Sequence, residues 1–230
     1  MSTLDDPASR ARFRWLLGHH VAFCVWRRLA EVLARMVTAG VTDEGLEESA
    51  WWYDRYTSTV LYAGSCGEPL YRNVIRPDMA ALHPSFSGLW ARDHTWVRWL
   101  LGQLPIPRDS PLKSAVRRNR AVHMAVGQIL VPEGGSLFKE SGGRARCGAT
   151  ADEERLFDSY FLVYRTTVTQ EEFRTHALLR VAAVLCDLAA RPIDLPGYAE
   201  VGAALPDDIV TMMQDTAAGF AGAPGSKLNA

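Results

Sequence analysis

Residues 10–39 read RARFRWLLGHHVAFCVWRRLAEVLARMVTA, and this stretch decides the fold class. Leu16, Leu17, His20, Phe23, Cys24, Leu29, Leu33 and Met36 recur at steps of three and four. Such spacing lays an apolar stripe along an α-helix, because 3.6 residues complete a turn. Gly40 is the expected stop, since glycine alone takes the left-handed cap conformation at little cost.

The same periodicity returns further on. A second helix is expected from Thr42-Asp43 through Trp51, Trp52, Tyr56, Val60 and Tyr62, with Thr42 or Asp43 as N-cap. Glu44 and Glu47 then lie at the positive end of its dipole, while Gly45 stands where a capping box needs glutamate. Gly64 to Pro69 breaks the chain, and residues 70–83 read as helical with a kink or restart at Pro77. His83 to Gly88 is a turn, and Leu89 to Leu104 a tryptophan-rich helix. Pro105, Pro107 and Pro111 mark a connector before a helix over 112–130. Residues 132–151 read as loop, followed by helices over 152–165 and 169–190, the latter opened by Thr169 and Glu172. After Arg191-Pro192 the periodicity is lost, and AAGFAGAPGSKLNA at 217–230 reads as a disordered tail. No strand-like alternation is sustained and no repeat is visible. The expectation is an all-α helical bundle: a loose N-terminus over 1–8, one helical domain over 9–192, and an irregular segment over 193–230.

Composition narrows the function classes. With 230 residues and 48% hydrophobic content the chain can build one sizeable core. A net charge of −1 gives no field that would favour nucleic acid or an acidic membrane. No apolar run is long enough to span a bilayer, and the first residues lack a signal-peptide core, so a cytoplasmic protein is expected. Cys24, Cys66, Cys147 and Cys186 are widely spaced and form no CxxC pair, which argues against a zinc site or a disulfide framework.

Two histidines carry the candidate chemistry. His123 lies in the 112–130 helix, with Arg120 one turn before it and Gly127 one turn after it. A neutral imidazole is a suitable axial ligand for haem iron, and Gly127 leaves room for a flat group against the helix. Arg120 is placed to meet a haem propionate, with Arg117 and Arg118 as competitors; the plain alternative is a solvated basic face. His20, on the first helix, is the second candidate, on the opposite side of the haem. His19 points about 100° away and is weaker. His20 and Cys24 are one turn apart but gather no further ligands, so a separate metal pair is discounted. Arg72 and Arg76 form a fork suited to a carboxylate, or an ordinary surface pair. Glu133, Gly134, Gly135 and Ser136 offer a carboxylate, open backbone and a hydroxyl to an amino group.

Taken together, these segments resemble the tryptophan 2,3-dioxygenase superfamily of histidine-ligated haem-dependent aromatic oxygenases. His20 and Trp26, six positions on, stand as that family's distal histidine and tryptophan. YRNVIRP at 71–77, followed by HPSFSGLW at 83–90, is similar to the segment whose arginine binds the substrate carboxylate. Arg120, His123 and PEGGS at 132–136 match the axial histidine and its glycine loop in order, with Glu133 where the family has threonine. The spacing of the two histidines, and the wording LVPEGGSL at 130–137, is closer to the compact bacterial branch with haem-dependent L-tyrosine 3-hydroxylases.

The resemblance implies a haem b enzyme that inserts oxygen into a tyrosine-like aromatic amino acid, using peroxide or dioxygen, in natural-product biosynthesis. It implies His123 on the iron, His20 handling a proton on the oxidant side, and Arg72, assisted by Arg76, on the substrate carboxylate. Glu133, Gly134, Gly135 and Ser136 then line the ammonium side. The alternatives are a tryptophan or indole oxygenase of the same superfamily, a non-catalytic haem carrier or sensor, and a cofactor-free helical interaction protein. A homo-oligomer is the family tendency.

Overall fold

In the computed structural model, residues 6–132, 134–142, 148–194, 197–203 and 205–222 are described. All regular structure among them is helical. The elements are α1 (Pro7–Ala39), α2 (Asp43–Gly64), α3 (Glu68–Leu70), a π turn (Tyr71–Ile75), α4 (Arg76–Leu82), a 3-10 turn (Gly88–Trp90), α5 (Arg92–Gln103) and α6 (Pro111–Leu130). They continue with α7 (Leu137–Glu140), α8 (Ala151–Tyr160), α9 (Gln170–Ala190), α10 (Tyr198–Gly202) and α11 (Ile209–Ala221).

α1 starts where Asp6 accepts a hydrogen bond from the Ser9 amide at 2.8 Å, with Pro7 in the first turn. It ends at Gly40, whose φ of 97° suits glycine. The three residues that follow turn the chain back into α2, capped by Thr42 through the Gly45 amide at 3.1 Å. α1 and α2 run antiparallel: Arg35 pairs with Glu48 near the turn, and Gly18 meets Ala63 at the far end. A Cβ on Gly18 would lie 2.8 Å from the Ala63 Cβ, so the crossing depends on glycine.

α2 is the central element. α6 lies along it in parallel, since Arg118 holds Asp54 at 2.7 Å, Asn119 donates to Thr57 Oγ1 at 3.0 Å, and Val126 faces Gly64. Buried Thr57, Ser58 and Thr59 donate to carbonyls three or four residues back, so their hydroxyls are satisfied inside the helix. α9 runs antiparallel to α1, from Arg27 against Phe173 to Arg14 against Asp187. Arg14, Asp187, Tyr62 and Ser65 form a buried polar knot joining α1, α2 and α9.

The structure departs from the sequence expectations in five places. The tryptophan-rich helix splits into the 3-10 turn and α5. The expected helix over 152–165 ends at Tyr160, and the loop over 132–151 contains α7, capped by Ser136. Near Pro77 the chain widens into the π turn before α4 starts, which relieves the clash a proline ring makes with the carbonyl one turn back. The segment over 193–230, expected to be irregular, contains α10 and α11. α11 is capped by Asp208 and buries Met212, Met213, Thr216 and Phe220. Its small residues serve close packing: a Cβ on Gly219 would lie 2.7 Å from the Trp51 ring.

Candidate active site

One face of α6 carries Arg120, His123 and Gly127, all exposed, while Leu112, Ala115, Asn119, Val122 and Val126 on the other side pack inward. Nothing lies within 4 Å of where a Gly127 Cβ would be, so that face is open. His123 is nevertheless set deep among protein atoms, and burial lowers its pKa. His123 therefore combines an exposed edge on α6 with a protein environment on its other side.

The charge of a protonated His123 bears on two other histidines, His19 of α1 and His94 of α5. Burial brings both pKa values down to about 4, so both rings are neutral at neutral pH. His19 Nδ1 lies 2.7 Å from the Trp15 carbonyl oxygen. A carbonyl only accepts, so Nδ1 carries the proton and Nε2 keeps its lone pair. The ring stacks on Phe161 at 4.2 Å and rests beside Trp15 at 4.6 Å. Behind Phe161 stand Phe157 at 4.7 Å and Phe23 at 6.0 Å, an apolar wall that holds it in place. His94 lies 5.2 Å from Trp26 and 5.8 Å from Tyr56.

His20 is placed differently. Its Nε2 lies 2.6 Å from the Phe161 carbonyl oxygen, and the charge of Arg180 on α9 acts on it. It therefore faces the α8–α9 side, and its Nε2 is the donor that ties α1 to the segment after α8. Cys24, one turn on, feels the same Arg180, and burial pushes its thiol up to about 11. The sequence favours His20 through its stripe with Leu16, Phe23 and Cys24 and through the resemblance that pairs it with Trp26. α1, however, is covered on more than one side, so the neighbouring stripe of Trp15, His19, Ala22 and Trp26 is also enclosed.

The expected substrate residues also separate. Arg72 is a surface residue, 67% exposed and paired with Glu68 at 3.1 Å. Arg76 turns inward at 15% exposure, donates to the Gly135 carbonyl at 3.1 Å and holds Glu140 in an ion pair. Gly134 and Gly135 are thus brought to the α4 end of the molecule, where Gly135 also donates to Glu140 at 3.2 Å. The Ser136 hydroxyl is engaged in capping α7. Glu133 lies outside the described residues, as does Cys147. His94 was not singled out in the sequence, although its register with Val97 and Leu101 marks it as inward-facing.

Among the described residues no group of three or more His, Cys, Asp or Glu converges as a metal cage. Haem iron needs only one or two axial histidines, so the relevant test is a histidine on an open face with unpartnered polar groups near by. His123 above the open Gly127 position meets the first half. The buried Trp26 Nε1, which has no hydrogen-bond partner, and Arg120, which has no ion pair among the described residues, meet the second. The residues present fit haem.

Comparison with known families agrees on the class. The model of the SfmD 3-methyl-L-tyrosine peroxygenase family matches residues 2–118, slightly more than half of the chain. The chain belongs to that family. A peroxygenase is an oxidoreductase, and the named substrate of the SfmD family is a modified aromatic amino acid. The match takes in His19, His20 and His94 and ends inside α6, before His123. No curated protein matches the chain. No described helix is long and apolar enough to cross a membrane.

Proposed function

We propose that this protein is a haem-dependent peroxygenase-type enzyme that hydroxylates a tyrosine-like aromatic amino acid. The observation that carries the reading is that the charge of His123 acts on both His19 and His94, three histidines on three packed helices, in a chain of a peroxygenase family. The resemblance to the tryptophan 2,3-dioxygenase superfamily supports haem b as the cofactor.

His123 is the proximal ligand in this reading. Burial keeps its imidazole neutral, so a ring nitrogen lone pair is available, and the bare Gly127 position leaves space beside it for a planar group. Haem, when bound, supplies the iron that activates peroxide for oxygen transfer to the ring. His19 takes the role that the resemblance gave to His20. Its Nε2 lone pair is held in the site by the Trp15 hydrogen bond and the Phe161 stack, where it can accept a proton from peroxide or from a substrate phenol. His20 acts as a positioning residue, because its bond to the Phe161 carbonyl fixes the ring on which His19 stacks. Arg120 is the nearest candidate for a propionate on α6.

The test is reconstitution with haem followed by absorption spectroscopy and turnover of L-tyrosine or 3-methyl-L-tyrosine with peroxide. Wild type is expected to show a Soret band, His123→Ala to lose it, and His19→Ala to keep haem with turnover down on the order of 10²- to 10⁴-fold. A Soret band and turnover unchanged in His123→Ala would overturn the proximal assignment. A wild type that takes up no haem would overturn the proposal as a whole.

A further inference from the structure

Around His94 one buried polar atom, the Trp26 Nε1, lacks a partner, and two neighbouring tyrosine hydroxyls, those of Tyr53 and Tyr56, make no hydrogen bond among the described residues. Tyr53, Tyr56 and Trp26 are each 5% exposed. Buried tyrosines elsewhere in the molecule are matched: Tyr62 donates to Asp187 at 3.0 Å and Tyr198 to the Leu61 carbonyl at 3.1 Å. A buried donor without an acceptor costs roughly 1–3 kcal/mol, so the Trp26 indole N–H calls for an explanation, and the two tyrosine hydroxyls beside it are free to bind.

The four rings form one group. Tyr56 lies 5.9 Å from Tyr53, 5.2 Å from Trp26 and 5.8 Å from His94. Arg98 follows His94 by one turn of α5, so both project from the same side of the helix. Its charge acts on both the His94 ring and the Tyr53 hydroxyl. Arg98 is exposed and has no ion pair among the described residues, unlike Arg92 on the same helix, which holds Glu154 at 2.9 Å. The cluster therefore presents an indole N–H, two phenol O–H groups and a guanidinium without an ion pair among the described residues. Such a set of donors around one positive charge suits an anion with several acceptor lone pairs and a flat shape.

We propose that Arg98, Tyr53, Tyr56 and Trp26 form a carboxylate-binding recess at the α5 edge of the site. The carboxylate comes either from the amino-acid substrate or from a haem propionate. The first source takes over the role that Arg72 cannot fill from its surface ion pair with Glu68. The assignment of these two sources rests on the proposed function; the recess itself rests on the unpartnered donors.

The experiment compares wild type, Arg98→Gln, Arg98→Lys and Tyr53→Phe in two titrations. Calorimetry measures binding of L-tyrosine and of tyramine, which lacks the carboxylate. Haem transfer to apomyoglobin measures haem dissociation. If the substrate carboxylate sits in the recess, Arg98→Gln weakens L-tyrosine on the order of 10- to 100-fold, leaves tyramine unchanged, and Arg98→Lys recovers part of the loss. If a propionate sits there, Arg98→Gln and Tyr53→Phe release haem faster by a similar factor while L-tyrosine affinity holds. Unchanged amino-acid affinity together with unchanged haem release would overturn the recess. Wild type that binds L-tyrosine through Arg98 but takes up no haem would sink the proposed cofactor and leave the recess standing. Circular dichroism melts check that the variants fold, which is expected because Arg98 is a surface residue and Tyr53→Phe removes one oxygen.

Discussion

Replacing Asp187 by alanine is expected to cost the molecule about 3–5 kcal/mol. The Asp187 carboxylate receives Arg14 Nε at 2.7 Å and the Tyr62 hydroxyl at 3.0 Å, and the side chains of the ion pair are only 7% and 6% exposed. Without the carboxylate, Arg14 keeps a buried charge that its remaining partners, the Ser65 hydroxyl and the Arg191 carbonyl, do not neutralise. Tyr62 loses its acceptor as well, which accounts for about 1 kcal/mol of that total. For a chain of this length each kcal/mol lowers Tm by roughly 2–4 °C, so the expected drop is about 6–20 °C. The paired variant Arg14→Met/Asp187→Leu removes both charges and is expected to regain most of that loss, because a buried ion pair repays little more than its desolvation. Urea denaturation of the two single variants, the double variant and wild type measures the coupling. A loss below about 1 kcal/mol in Asp187→Ala, or a double variant no more stable than the singles, would refute the argument that burial makes this pair interdependent. Arg14 of the knot directly precedes Trp15 on α1 and lies five residues before His19, so the same variants test whether the site tolerates movement there.

Three further outcomes follow from the geometry. His19 and His94 have pKa values lowered to about 4 by burial, so the unfolded chain binds more protons below about pH 6.5. Their contribution to stability is full above that pH and is lost as pH falls toward 4; wild-type Tm is expected to fall more steeply over that window than in His19→Gln/His94→Gln, and parallel curves would contradict it. Gly219→Ala places a Cβ 2.7 Å from the Trp51 ring and is expected to cost about 1–3 kcal/mol by denaturant melt, whereas Gly127→Ala, with nothing within 4 Å, is expected to leave the apoprotein within about 0.5 kcal/mol. Arg72→Ala is expected to leave amino-acid affinity unchanged, since Arg72 is a surface partner of Glu68, while Arg76→Ala frees Gly135 and Glu140 and is expected to lower Tm; a binding loss in Arg72→Ala with none in Arg98→Gln would restore Arg72 to the site.

Much of the fold was legible because its longest helices announce themselves locally. Thr169 and Glu172 form the capping box that their spacing implies, and Thr42 caps α2. α11 was not legible, for a physical reason: AAGFA scores as loose by composition, yet its small residues allow a close approach to Trp51 and Trp52. Packing between helices far apart in sequence decides that segment, and no local pattern carries it. The π turn was half legible, since Pro77 signals a disturbance but does not say whether the helix kinks or widens.

The site shows the same limit more sharply. A helical stripe identifies an apolar face only when the helix has one buried side. α1 meets α2, α5 and α9, so two adjacent histidines both find protein, and periodicity cannot rank them. What separates His19 from His20 is which ring nitrogen is engaged by which carbonyl. His19 donates its Nδ1–H to the Trp15 carbonyl within α1, which leaves the Nε2 lone pair unused by that bond; the Nε2 of His20 is engaged by the Phe161 carbonyl from another element. The second distinction is electrostatic: His19 and His94 feel His123, whereas His20 feels Arg180. Both distinctions depend on chain segments about a hundred residues apart being folded together, so adjacent residues in one motif come to do different work. In the proposed reading a motif match therefore locates the helix without choosing between His19 and His20, and Arg98, which belongs to no motif, is the sharper test of what binds there.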